Sequence, residues 1–515
     1  MTTGNRQAGI LLHITSLPGP WGIGELGPHA RRFAEKLKNM GQSLWQVLPL
    51  GPTGYADSPY STLSTFAGNH LLISFDDLVE DGLLSGRILR DFPCLPEREV
   101  DYAKAIPVRM RVLGSVCRMF ERRAAPPIKA AFEKFCRENA YWLEDYALFW
   151  ALKQACDSKP WTAWPQELAR RKPGALSAAR RRFAGRIRHA RILQFLFDRQ
   201  WRRLRAHCHR RGIRIIGDLP IFVAHDSADV WAHPELFFVD CRGRLIVQAG
   251  VPPDYFSTTG QLWGNPLYRW ETHRRTGYRW WIQRMRRMLH LVDIVRIDHF
   301  RGFQAYWEVP AAEKTAINGR WVPGPGAELF DVLLQELGRL PIIAEDLGII
   351  TPDVVALRER YGFPGMKIMQ FGFGDEDGEE HRPDHYTENC VAYTGTHDND
   401  TIIGWFSGRR RRGERRTRER IEEERRRALR YLHSDGSRIN WDFIRVLMQS
   451  RAGTVIVPLQ DVMGLGSEAR MNYPGTVGGN WKWRFTWAML TDRIAQQLYR
   501  LAVESGRAPP EGGRT

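Results

Sequence analysis

Three carboxylates each close a short apolar run: Asp298 in VDIVRIDHFRG (292–302), Glu345 in PIIAED (341–346) and Asp398 in VAYTGTHDND (391–400). Clustered carboxylates are costly unless they hold a cation or divide into an ionised and a protonated member. Glycosidic-bond chemistry needs that division. One carboxylate attacks the anomeric carbon while a carboxylic acid protonates the leaving oxygen. Arg296 lies two residues before Asp298, on the same face of a strand, and a cation there favours an ionised nucleophile. Glu345 follows Ile342-Ile343-Ala344, where apolar surroundings and neighbouring anions keep a proton on the acid. Asp398, beside His397, is placed to bond sugar hydroxyls and to face positive charge developing on the ring. Plainer roles stand beside these. Asp298 could cap a helix or simply pair with Arg296, Asp346 could be an N-cap or surface residue, and His397 could brace its loop; His13 and His299 read as structural. No His-x-His, HExxH or EF-hand spacing accompanies the carboxylates, so no metal is expected.

For these side chains to meet, the C-terminal ends of separate strands must converge, as they do in a closed parallel barrel. Apolar runs at 9–14, 43–48, 214–218, 292–298, 341–346, 366–371, 391–394 and 454–458 alternate with helical patterns such as 29–40 and 278–291. The expected fold is α/β, a (β/α)8 TIM barrel with large, mostly helical insertions. The first strands and a substrate loop fall in 1–78, and a helical insertion spans 79–210, with helices near 130–139 and 143–156. The catalytic strands occupy 211–400, with a cleft-covering loop at 249–268 whose Tyr255, Phe256 and Trp263 could exclude water and hold an acceptor sugar. An Arg-rich helical insertion (401–450), the closure of the barrel (451–504) and a disordered tail (505–515) complete the chain. The loop 51–69 is long and polar enough to be functional.

Composition narrows the function classes. The 19 Trp and 15 Tyr in 515 residues supply the flat faces on which sugar rings pack. The net charge of +17 invites a nucleic-acid reading, but much of the excess sits in 170–191 and 409–430. The latter is interleaved with Glu414, Glu419, Glu422, Glu423 and Glu424, as in a solvated helix laced with ion pairs. With no zinc-finger or RNA-binding aromatic motif, no nucleic-acid partner is expected. Seven scattered cysteines without a CxxC pair point to reduced thiols. The short apolar run at 9–14 is no signal peptide, and no stretch reaches the roughly 18 apolar residues of a membrane span. A cytoplasmic protein with no membrane partner is expected.

Longer motifs, in order from residue 9 to 484, carry a resemblance: GILLHITSLPGPWGIGELG, WQVLPLGPTGYADSPYSTLSTFAGN, IGDLPIFVAHDSADVWAHPELF, AGVPPDYFSTTGQLWGNPLY, VRIDHFRGF, IIAEDLGIITPDV, YTGTHDNDT, RMNYPGT and NWKWR. Together they resemble the 4-α-glucanotransferases of the amylomaltase or disproportionating-enzyme family, within the α-amylase superfamily. The helical insertion and the stretch 409–430 match least. The resemblance implies a retaining transfer of α-1,4-linked glucosyl segments between glucans, with no cofactor. It implies Asp298 as nucleophile, Glu345 as acid/base and Asp398 as transition-state stabiliser, with Asp218, Arg296 and His397 near the reacting sugar. Ser58, Tyr60, Asp254, Gln261, Trp263 and Asn472 would line the donor and acceptor subsites, and Tyr55 a secondary glucan site. The alternatives are an α-glucan hydrolase, an inactive carbohydrate-binding barrel and a nucleic-acid binder.

Overall fold

A computed structural model describes residues 6–253, 258–374, 376–408 and 417–509. Eight parallel strands run in chain order: β1 Gln7–Leu11, β2 Leu44–Gln46, β3 Arg214–Pro220, β4 Ile294–Asp298, β5 Ile342–Ala344, β6 Gly365–Ile368, β7 Cys390–Tyr393 and β8 Thr454–Pro458. Their lateral order is β6-β7-β8-β1-β2-β3-β4-β5. Nearly every strand position is buried, because helices cover the outer face and side chains fill the inner one. That double burial is why the strands read as unbroken apolar runs.

The sheet closes between β5 and β6. Ala344 N donates to Pro364 O at 2.9 Å, and the Asp346 carboxylate accepts from Met366 N at 2.7 Å. Asp346 is thus neither a helix cap nor a free surface group; its side chain replaces a backbone acceptor at the seam. A Cβ at position 365 would fall 2.3 Å from that carboxylate, so glycine is needed there for close approach. The barrel is therefore nearly closed, as expected.

Between β2 and β3 the chain forms helices including Tyr102–Arg123, Pro126–Glu138, Ala140–Ala155 and Ala184–His209. Helix Ala140–Ala155 is apolar almost all round and lies buried. Helix Ala184–His209 belongs partly to the barrel, since the Trp201 indole donates to Leu291 O at 2.7 Å, just before β4. The loop after β2 is pinned from below by this helix and by Arg279–Leu291. Arg284 Nε donates to Thr65 Oγ1 at 2.8 Å, Arg287 Nε to Phe66 O at 3.0 Å, and the Gln194 amide pairs with both polar backbone groups of Gly68.

The stretch 249–268 is not simply a loop. Val247–Val251 and Gln261–Pro266 pair antiparallel, and together with Ala305–Pro310 and Arg320–Pro323 they form a four-stranded flap. Gly264, Pro266 and an irregular burial pattern erase the period-two alternation that marks a strand, so periodicity could not reveal it. In the Arg-rich region, helix Arg418–Leu432 forms as expected, while 409–416 lie outside the described residues. Nor is the tail loose where described. Arg507 is 1 % exposed, and its guanidinium donates to the carbonyls of Met448, Ser450 and Ala452. Among the described residues no helix is long and apolar enough to cross a membrane.

Candidate active site

The register of β3 on β4 sets Asp218 directly opposite Arg296. Arg296 Nη1 donates to both oxygens of Asp218, at 2.8 and 2.7 Å, and to Asp298 Oδ1 at 3.0 Å. Asp218 Oδ2 also accepts from the Tyr60 hydroxyl at 2.7 Å, joining the β2 loop to the strand ends. Tyr60 stacks on His397, centroids 5.0 Å apart and planes 17° apart, and Trp481 leans against both rings.

Beyond Asp298 the chain turns sharply, because His299 adopts a left-handed conformation (φ 58°, ψ 50°), uncommon for a residue other than glycine. The turn aims His299 N at Glu345, whose Oε2 accepts from it at 2.6 Å while Oε1 accepts from Leu347 N at 3.0 Å. The strained residue thus fixes one catalytic candidate relative to another. In the loop that follows β7, Asp398 Oδ1 accepts from Asn472 Nδ2 at 2.6 Å, and Arg470 Nη2 donates to Asp398 O at 2.5 Å. His397 Nε2 stands 3.5 Å from Asp398 Oδ1.

Electrostatics separates the two central carboxyls. Burial, with the charge of Asp298 adding, pushes Glu345 up to about 8, against the pull of Arg296 and two backbone N–H groups. Asp298 is also raised, chiefly by burial and then by Asp218 and Asp398, although Arg296 and His397 oppose this. The cation therefore does not win outright, contrary to the expectation that Arg296 alone holds Asp298 ionised. One guanidinium nitrogen is shared between Asp218 and Asp298, so its pull on Asp298 is divided. With its side chain 32 % exposed to the mouth, Asp298 keeps more water than a core carboxylate would. The arrangement favours one proton between the pair, held on Glu345.

The flap reaches the same mouth. Trp263, 36 % exposed, meets the His299 ring edge-on at 4.8 Å, and its Nε1 donates to Gln261 Oε1 at 3.2 Å. His299 Nε2 and His13 Nδ1 are buried with no hydrogen-bond partner, and burial drives both imidazoles down to about 3. Both rings are therefore neutral, each with an unused nitrogen. Among the described residues, Ser58 joins the cluster through Tyr60, whose N donates to Ser58 Oγ at 3.2 Å. Tyr55 is 71 % exposed, and the described contacts do not join its ring to the others. Asp254, with Tyr255 and Phe256, lies outside the described residues. Sequence reasoning passes over Trp481 and Arg470 as individual site residues; only their nearness to Asn472 signals them. Among the described residues no three His, Cys, Asp or Glu side chains group so as to hold a metal.

A barrel whose mouth holds a proton-bearing glutamic acid, an aspartate beside an arginine and a third aspartate has the layout of a glycoside-bond enzyme. Comparison with known proteins makes the class specific. A family model described as 4-alpha-glucanotransferase matches residues 12–491. The 4-alpha-glucanotransferase of Thermus thermophilus is 48 % identical over 510 residues, covering 98 % of this chain and 99 % of its own. That of Synechocystis is 47 % identical over 508 residues, covering 98 % of each chain. The solved amylomaltase of Streptococcus agalactiae, in complex with acarbose, superposes with a TM-score of 0.92 at 38 % identity, over 98 % of this chain and 100 % of that one. The chain belongs to the 4-alpha-glucanotransferase family and is an enzyme.

Proposed function

We propose that this chain transfers α-1,4-linked glucosyl segments with retention, through a covalent intermediate on Asp298. The carrying observation is the split between Asp298, bonded to Arg296 at 3.0 Å, and Glu345, pushed up to about 8. In the first step an Asp298 oxygen attacks the anomeric carbon, the glycosidic C–O bond breaks, and the Glu345 proton passes to the departing 4-oxygen. The released glucan leaves and another glucan's 4-hydroxyl enters. The Glu345 carboxylate takes that hydroxyl's proton, the new C–O bond forms, and the ester to Asp298 breaks. No water is consumed, so the number of reducing ends is constant.

Asp398, fixed by Asn472 and Arg470, faces the positive charge that develops on the ring. Asp218, Arg296 and His397 contact the reacting sugar. Ser58, Tyr60, Asp254, Gln261, Trp263 and Asn472 line the subsites on either side, and Tyr55 offers its exposed ring as a secondary glucan site. The acarbose bound by the Streptococcus agalactiae relative supports a maltooligosaccharide-like ligand. The flap supports transfer over hydrolysis, since Trp263 can cover the intermediate with an apolar face.

Maltotriose tests the reading. Glucose and longer maltooligosaccharides are expected with total reducing ends constant; a steady rise in reducing ends would establish a hydrolase instead.

A further inference from the structure

The loop 394–402, which carries His397 and Asp398, leaves β7 and enters helix Ile402–Ser407. Both of its ends meet one side chain. Asp461, in the short helix Leu459–Met463 after β8, accepts from Thr394 Oγ1 at 2.6 Å through Oδ2 and from Ile402 N at 2.8 Å through Oδ1. Asp461 is 1 % exposed, and its own carbonyl accepts from Asn440 Nδ2 at 2.8 Å, which ties it to helix Ile439–Gln449. Between the two ends the loop holds its shape by short bonds. Asn399 Oδ1 accepts from Thr396 N at 2.8 Å and from Thr396 Oγ1 at 2.9 Å, and Gln370 Nε2 donates to Asp400 O at 2.7 Å. Capping of the following helix is already provided by Thr401, whose Oγ1 accepts from Gly404 N at 3.0 Å. The bond from Thr394, at the other end of the loop, contributes nothing to that cap.

We infer that Asp461 is a positioning residue for the transfer reaction. It clasps both ends of the 394–402 loop and so sets Asp398 and His397 against the reacting sugar. The inference rests on the proposed role of Asp398. No Lys or Arg pairs with Asp461 among the described residues, and burial pushes its carboxyl up to about 6. Shape, more than charge, is therefore what the clasp needs. An asparagine can reproduce it, with Oδ1 accepting from Ile402 N and Nδ2 donating to the Thr394 hydroxyl, which accepts as well as it donates.

The test is maltotriose transfer kinetics, normalised to folded protein by near-ultraviolet circular dichroism, for wild type, Asp461→Ala, Asp461→Asn and Thr394→Val. Displacing a reacting group by about an ångström costs on the order of 100-fold in rate, so Asp461→Ala is expected to lose about 100-fold in kcat with KM within about threefold. Thr394→Val, which frees one end only, is expected to lose about tenfold, and Asp461→Asn to stay within about fivefold of wild type. If Asp461→Ala does not fold, the ordering of Thr394→Val below Asp461→Asn carries the test. Wild-type kcat in Asp461→Ala or Thr394→Val would overturn the inference. So would a rise in KM at constant kcat, or an Asp461→Asn enzyme as slow as the alanine variant. Failure of the functional reading is distinct, because it shows in the wild type as a lack of glucose and longer chains from maltotriose.

Discussion

Arg296 serves two carboxylates with one nitrogen, and that economy shapes the chemistry around it. Asp218 takes two of that nitrogen's three bonds and is itself held by Tyr60, which leaves Asp298 attached to Arg296 by a single bond. A nucleophile tied this lightly can swing toward an anomeric carbon. Replacing it with an amide removes both charge and nucleophilicity, so Asp298→Asn should lose at least about 10³-fold in kcat while still binding maltotriose. Glu345 yields a prediction with a defined sign. Its carboxyl titrates near 8 in the fold against an ordinary value of 4.5, so the folded state binds more protons than the unfolded chain across that interval. The raised carboxyl therefore makes the wild type lose stability as pH rises from about 4.5 through about 8. Glu345→Gln carries no such cost. Its Tm should match wild type near pH 4 and exceed it at pH 8, as scanning calorimetry at the two pH values can show. In the wild type kcat/KM should fall as pH passes about 8, when the proton for the leaving oxygen is gone.

At the level of elements, the barrel depends on a seam that side-chain chemistry completes. Asp346→Ala leaves Met366 N without its acceptor between β5 and β6 and should cost about 1–3 kcal/mol, measurable as a lower urea midpoint at unchanged slope. The seam also marks what could be read from sequence. The eight strands were legible because burial on both faces writes them as continuous apolar runs ending in polar residues. Asp298 and Glu345 stood out for the same reason, at and just beyond a strand's C-terminal end, and Asp218 and Arg296 as polar residues inside otherwise apolar strands. The role of Asp346 was not legible, since its partner is a backbone group 20 residues onward. Neither was the flap, in which Gly264, Pro266 and an irregular burial pattern over Gln261–Pro266 leave no alternation to read. The net rise of the Asp298 carboxyl was hidden too. A neighbouring Arg can be read from spacing, but not the burial that outweighs its pull, nor the approach of Asp218 from another strand.

On the scale of the whole molecule, charge and function lie in different places. Residues 102–210 hold 25 Lys and Arg against 8 Asp and Glu, a balance of +17 that equals the net charge of the entire chain. The remainder, including every strand of the barrel and the flap, is balanced. Screening at high salt should therefore leave a neutral substrate's reaction alone, and kcat/KM for maltotriose should change by less than about twofold between 50 and 500 mM NaCl. The flap belongs to the same scale, because it closes a mouth built by distant strands. Trp263→Ala should raise the ratio of hydrolysis to transfer, read as new reducing ends per glucose released. The central claim is that the barrel holds a glycosyl group on Asp298 between donor and acceptor. Intact-protein and peptide mass spectrometry of Glu345→Gln after incubation with α-maltosyl fluoride tests it most directly. The fluoride leaves without an acid, and the missing base stalls the second step. A maltosyl adduct confined to the peptide containing Asp298 is predicted. An adduct on Asp398 or Asp218 instead, or steady fluoride release with no adduct on the protein, would contradict the account.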